Sequence, residues 1–250
     1  MACSLSTRVE GWVPPQVSGV HTFQGQRLHV LQVGLGTFNT FLRNICDKDE
    51  EYPLLTWLLQ AVGDQSKNLR GVGVEPVSEH IANLQSSLQQ LPNSTLVQAA
   101  MSKSERMVDV YGITPKAYQG YLDEVHPSDL QRFTEHLLFI RNMSCLGQAH
   151  PDLLLYGSML RQEFGVDVKV EAMKATAITY GGLADLLQFS GTELLVIDAE
   201  GHDCQILESM IEYCQQNSHA WPDIICFETL GHSDRINGLA AEESMVHSLL

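Results

Sequence analysis

The chain has 250 residues, 44% of them hydrophobic and 18% charged, which is enough to bury one sizeable core and too apolar for a disordered segment. With 30 acidic against 15 basic residues its formal net charge is −15, and that argues against a nucleic-acid or anionic-membrane surface. The 6 cysteines (Cys3, Cys46, Cys145, Cys204, Cys214 and Cys226) lack C-x-x-C spacing, so neither a zinc site nor a redox pair is expected, and a reducing, cytoplasmic setting is.

No basic-then-apolar leader precedes Trp12, and no later run reaches the length of a membrane span. Residues 1–26, with Pro14, Pro15, Gly19 and Gly25, read as an irregular lead-in. Arg27 to Val33 alternates as a strand and ends at Gly34-Leu35-Gly36, after which Phe38, Phe41, Leu42 and Ile45 share a helical face. Pro53 to Val62 forms a second short apolar helix, and Gly71 to Val74 a second strand that stops at Glu75-Pro76. Val77, Ile81, Leu84, Leu88 and Leu91 follow at helical spacing, and Pro92 ends that helix. Thr95 to Ala100 is the third strand.

Beyond Val110 the pattern loosens. Residues 113–165 hold helix formers, aromatic residues and Pro115, Pro127 and Pro151, and are expected to be a helical insertion serving as a lid or binding wall. Val166 to Val170 looks like a short strand and Gly182 to Phe189 a short helix. The run Glu193-Leu194-Leu195-Val196-Ile197 then reads as a strand buried on both faces, broken by Asp198-Ala199-Glu200-Gly201. Ile206, Leu207, Met210, Ile211 and Cys214 place a helix after it. Asp223 to Phe227 is the fifth strand, ending at Glu228, and Ala240 to Leu250 the last helix. The expected whole is one α/β domain over residues 1–250.

Four strands therefore end in glycine or acid on one edge of a mostly parallel sheet, where open α/β sheets bind ligands. An acid ending the second strand can accept from a ribose diol, and Gly34 and Gly36 allow close backbone approach, so a nucleoside-containing cofactor is expected.

Glu75-Pro76, the stretch Ile197-Asp198-Ala199-Glu200-Gly201 with Asp203 and Leu207, and Ala99-Ala100-Met101-Ser102-Lys103 together resemble the FkbM family of S-adenosylmethionine-dependent methyltransferases. The resemblance covers roughly Leu28 to Thr229. It departs at Gln32, where the family has an acid, at Gly36 and Phe38 in the turn, and at Leu183-Ala184. It implies a Rossmann-like class I methyltransferase fold, helices on both faces and an insertion between the third and fourth strands. The implied reaction is methyl transfer to a hydroxyl of a small-molecule acceptor. Gly34, Leu35, Gly36, Glu75, Pro76, Ala99, Ala100, Met101 and Asp198 would hold the cofactor. Asp198, Glu200 and His202 are the candidate catalytic groups, His202 for its intrinsic pKa. Glu200 is equally suited to capping the next helix.

Mg²⁺ held by Asp198, Glu228 and His232 is a lesser alternative, with a metal-free site preferred. Two rival functions remain: a non-catalytic binding module on the same fold, and a nicotinamide oxidoreductase. The second would need glycine at position 39, where Asn39 stands, and an acid ~20 residues on rather than at Glu75.

Overall fold

A computed structural model of the protein describes residues 11–36, 68–89, 91–141, 143–229, 231–238 and 240–249. The helix expected through Phe38 to Ile45 and the one from Pro53 to Val62 lie outside these residues. The chain is α/β and forms two compact units, Met1–Met107 with Thr176–Leu250, and Val108–Ala175.

The first unit is built on a six-stranded mixed sheet. Its strands are β1 (Gln16–Gly19), β2 (Leu28–Val33), β3 (Gly71–Glu75), β4 (Thr95–Gln98), β9 (Thr192–Ile197) and β10 (Ile224–Phe227), in the order β1-β4-β3-β2-β9-β10. All neighbours pair in parallel except β1, which runs antiparallel to β4 with Gly19 opposite Thr95. β1 corrects the expected irregular lead-in. Prolines ahead of it and Gly19 at its end hid an edge strand, the one place in a sheet that tolerates such residues.

Side-chain alternation explains the layers. On β9, Leu195 and Ile197 face one core and Leu194 and Val196 the other, so the apolar run is covered on both sides. One core takes Ile81 and Leu84 of α1 (Ser78–Leu88). The other takes Leu183 and Leu187 of α5 (Tyr180–Leu187), Ile206, Leu207 and Met210 of α6 (Asp203–Gln216), and Met245 of α8 (Ala241–Leu249). Between β10 and α8 lies α7 (His232–Asn237), a helix whose short polar sequence gave no periodic signal. The expected third strand ends early: Ala99 interrupts it, and β5 (Ala100–Met101) pairs instead with the end of β8 (Glu171–Ile178), Ala100 opposite Ala177.

The second unit holds α2 (Pro115–Glu124), α3 (Leu130–Arg141) and α4 (Pro151–Phe164), with β7 (Cys145–Leu146) and most of β6 (Arg106–Gly112) and β8. Thr114 caps α2 with proline at its first position, and Gly165 closes α4 at φ 74°. Phe133, Leu137, Ile140, Leu153 and Leu160 are buried together. Val166 to Val170, expected as a strand, is irregular. Its Lys169 N–H donates to the Tyr121 hydroxyl at 2.8 Å, an alternative to sheet pairing. The strand begins at Glu171.

Candidate functional site

Register puts four strand ends on one line. Val33 lies opposite Val74 on one side and Ile197 on the other, and Ile197 lies opposite Phe227. One step further along the chain stand Gly34, Glu75, Asp198 and Glu228, as the sequence implied. β2 and β9 form the point where chain order reverses across the sheet, so Gly34 and Asp198 flank the crevice that open α/β sheets use for ligands.

Gly34 is required here by sterics. Its φ is +81°, and an added Cβ would lie 1.7 Å from the Asp198 carbonyl oxygen. The two strand ends are locked by the Gly34 N–H donating to Val74 O and the Asp198 N–H donating to Val33 O. Leu35 sends its side chain into the core above Gly73, leaving only its backbone near the crevice. Gln32 is buried behind the turn, where its Nε2 donates to Gly34 O and its Oε1 has no hydrogen-bond partner among the described residues.

Glu75 is the most heavily engaged group. Its Oε2 accepts from the N–H of Leu35 and of Gly36, both at 3.0 Å. Its Oε1 accepts from the Val77 N–H at 2.9 Å and from His80 Nδ1 at 3.2 Å. A carboxylate has about four lone-pair sites, and all are filled. Burial pushes this acid's pKa up, but the His80 hydrogen bond and charge, with the N–H groups of Val77 and Gly36, outweigh burial and hold it below 4.5. Glu75 thus fixes the glycine turn to α1, and His80, which sequence reasoning missed, completes the clamp. The signal was a histidine one turn into the helix that follows the acid.

Asp198 is the open member of the edge. Withdrawal from water raises its pKa to about 6, Glu228 and Asp203 add repulsion, and His232 opposes them. The residue keeps a face to solvent, which moderates the first cause and leaves the crowding by neighbouring carboxylates. Beyond it the chain makes a strained turn: Glu200 adopts φ 49°, and Gly201 φ 94°. Asp203 closes this turn by accepting from the N–H of Ala199 and Gly201, and burial raises its pKa to about 6. Ser233 Oγ and Asn237 Nδ2 donate to the Gly201 carbonyl, so α7 is fastened to the turn.

His202 does not have the titration expected of a base. It is 7% exposed and burial lowers its pKa to about 4; among the described residues its Nδ1 has no hydrogen-bond partner. It also occupies the cap position of α6 without a side-chain cap bond, so Glu200 does not hold that position. Glu200 instead lies 3.6 Å from His232 Nδ1, and Glu228 lies 2.9 Å from the same nitrogen. Pro76 is half-buried at the edge. Ala99, Ala100 and Met101 are buried, with Ala99 and Met101 packed in the core beneath the sheet.

The geometry is on its own in saying what the edge does. No protein-family model, curated protein or solved structure matches the chain. What the arrangement offers chemically is a sheet edge with an open carboxylate of raised pKa, two further carboxylates around His232, and a glycine turn held by Glu75. Such an edge favours a cationic ligand group.

Proposed function

We propose that the protein is a Rossmann-like, S-adenosylmethionine-dependent methyltransferase acting on a hydroxyl of a small molecule. The carrying observation is the alignment of Gly34, Glu75, Asp198 and Glu228 at the carboxyl ends of parallel strands, with the open Asp198 at the reversal of strand order. The resemblance of Ile197-Asp198-Ala199-Glu200-Gly201 and Glu75-Pro76 to the FkbM family supports the same reading. The cofactor, when bound, supplies an electrophilic methyl group on a cationic sulfur.

The residues fit that group in part. Asp198 offers negative charge to the ammonium and sulfonium of the methionine portion. The clamp of Glu75 on Leu35 and Gly36 fixes the turn beside it, and pre-organised geometry is the main protein contribution to an in-line displacement. Glu75 has no acceptor to spare for a ribose diol, so in this proposal it positions the turn and the ribose takes its hydrogen bonds elsewhere. With the pKa of His202 near 4, Asp198 is the better placed proton acceptor at neutral pH. Glu228 is engaged by His232, so Mg²⁺ is left out of the proposal.

The filled Glu75 also favours one second reading, a methyltransferase-like fold that binds without catalysis. Mass-spectrometric detection of methyl transfer to a panel of hydroxylated acceptors, with wild type and Asp198→Asn, separates them. Transfer by wild type that falls in the variant supports the enzyme. Cofactor binding with no transfer to any acceptor, and a partner interaction untouched by Asp198→Asn, supports the module.

A further inference from the structure

A second concavity opens at the opposite edge of the same sheet. A cleft of about 470 Å³ is lined by Gln24, Gln26, His29, Asn68, Arg70 and Asn93 among others. These residues stand at or just before the starts of β2, β3 and β4, so the cleft lies on the amino edge, a strand length of roughly 17–20 Å from Asp198.

Two features mark it as a place for negative charge. Arg70 is a half-buried cation whose Nε donates to the Arg27 carbonyl at 2.7 Å. Among the described residues no acidic side chain pairs with it, in a chain of net charge −15 where carboxylates are plentiful. The second feature is a surplus of hydrogens. His29 Nδ1 faces the Arg70 backbone N–H at 2.9 Å, and His29 Nε2 faces Arg70 Nη2 at 2.9 Å. Both neighbours are donors, yet a neutral imidazole has one accepting nitrogen. With Nδ1 accepting, Nε2–H faces a guanidinium N–H, and among the described residues no acceptor meets the two.

We propose that this cleft binds the phosphate or carboxylate end of a small molecule, one oxygen accepting from His29 Nε2–H and Arg70 Nη2–H together. The guanidinium offers further N–H groups in the fork that suits planar or tetrahedral oxyanions. The volume lies in the range of small-molecule pockets, ~300–1,000 Å³, so it has room for the body of a small molecule behind an oxyanion that the His29 and Arg70 corner can also hold alone. Glu193 is the acid whose field reaches His29, and Arg70 opposes it there. Because the site is on the other edge, it stands or falls independently of the methyltransferase reading.

The test is an NMR titration of the His29 ring nitrogens with sodium phosphate and with sodium acetate, against sodium chloride at matched ionic strength. A saturable shift with phosphate or acetate, and not with chloride, supports the proposal and tells which headgroup is preferred. Arg70→Gln should weaken it at least roughly tenfold, and Arg70→Lys by less, because the charge is kept. Should Arg70→Gln fail to fold, His29→Gln provides the loss, read then by calorimetry. Equal shifts with all three salts, or folded Arg70→Gln and His29→Gln proteins that bind as wild type does, would overturn it.

Discussion

Replacing Glu75 by Gln changes one atom and removes half of its acceptor capacity. The carboxylate receives four N–H donors, from Leu35, Gly36, Val77 and His80, in a site that is 3% exposed. The amide oxygen of Gln can serve two of them, and its own N–H groups are turned toward the other two. Each buried donor left without an acceptor costs about 1–3 kcal/mol, so the pair costs about 4 kcal/mol. Urea unfolding at pH 7 should therefore show a much lower midpoint with an unchanged slope. The pH dependence carries a sign. The folded pKa of Glu75 is depressed below its ordinary 4.5, so its stabilisation is complete above that value and is lost as pH falls through the folded pKa. The gap between wild type and variant should narrow below pH 4.5. A stability change under about 0.5 kcal/mol would refute the clamp. If S-adenosylmethionine binding alone were lost in such a variant, Glu75 would be a ligand contact after all.

Asp198→Asn is expected to stabilise the protein. Its folded pKa of about 6 lies above the ordinary 3.8, so the folded state favours the neutral form and wild-type stability falls as pH rises between those values. A rise of that size corresponds to about 3 kcal/mol for a wholly buried group, and the open face of Asp198 reduces this to about 1 kcal/mol at pH 7. A thermal melt at pH 7 should rise, and one at pH 4 should move little; a fall at pH 7 would contradict the crowding of carboxylates. Gly34→Ala should cost about 3 kcal/mol or more, because its Cβ would overlap the Asp198 carbonyl and its φ is positive; normal expression and an unchanged melting temperature would be the opposing result. NMR titration of the His202 ring should show protonation near pH 4, and a value near 6.5 would mean that the ring is not buried as described.

The sheet edge was legible because strands announce their ends. Leu194 to Ile197 is apolar at every position and then meets Asp198, so both the buried strand and the carboxylate at its tip follow from one stretch. The same holds for Gly71 to Glu75. The segment from Arg106 to Ile178 was less so. Val166, Val168 and Val170 alternate as a strand would, yet the chain there is irregular, and the strand is Glu171–Ile178, whose alanines and lysine are poor strand formers. Pairing partners decide such cases, and they are not local. Within the site, residue type told where charge would be but not what it would meet. Nothing in Glu75-Pro76 reveals that four donors converge on the acid, and nothing in His202 reveals that burial takes its pKa down to about 4.

The most direct test of the central claim is calorimetric titration of the wild-type protein with S-adenosylmethionine and, separately, with S-adenosylhomocysteine. The proposed site predicts saturable one-to-one binding of both, with the cationic S-adenosylmethionine losing more affinity than S-adenosylhomocysteine when Asp198 is changed to Asn. Absence of binding by either ligand to a folded protein would contradict the cofactor assignment and with it the methyltransferase reading.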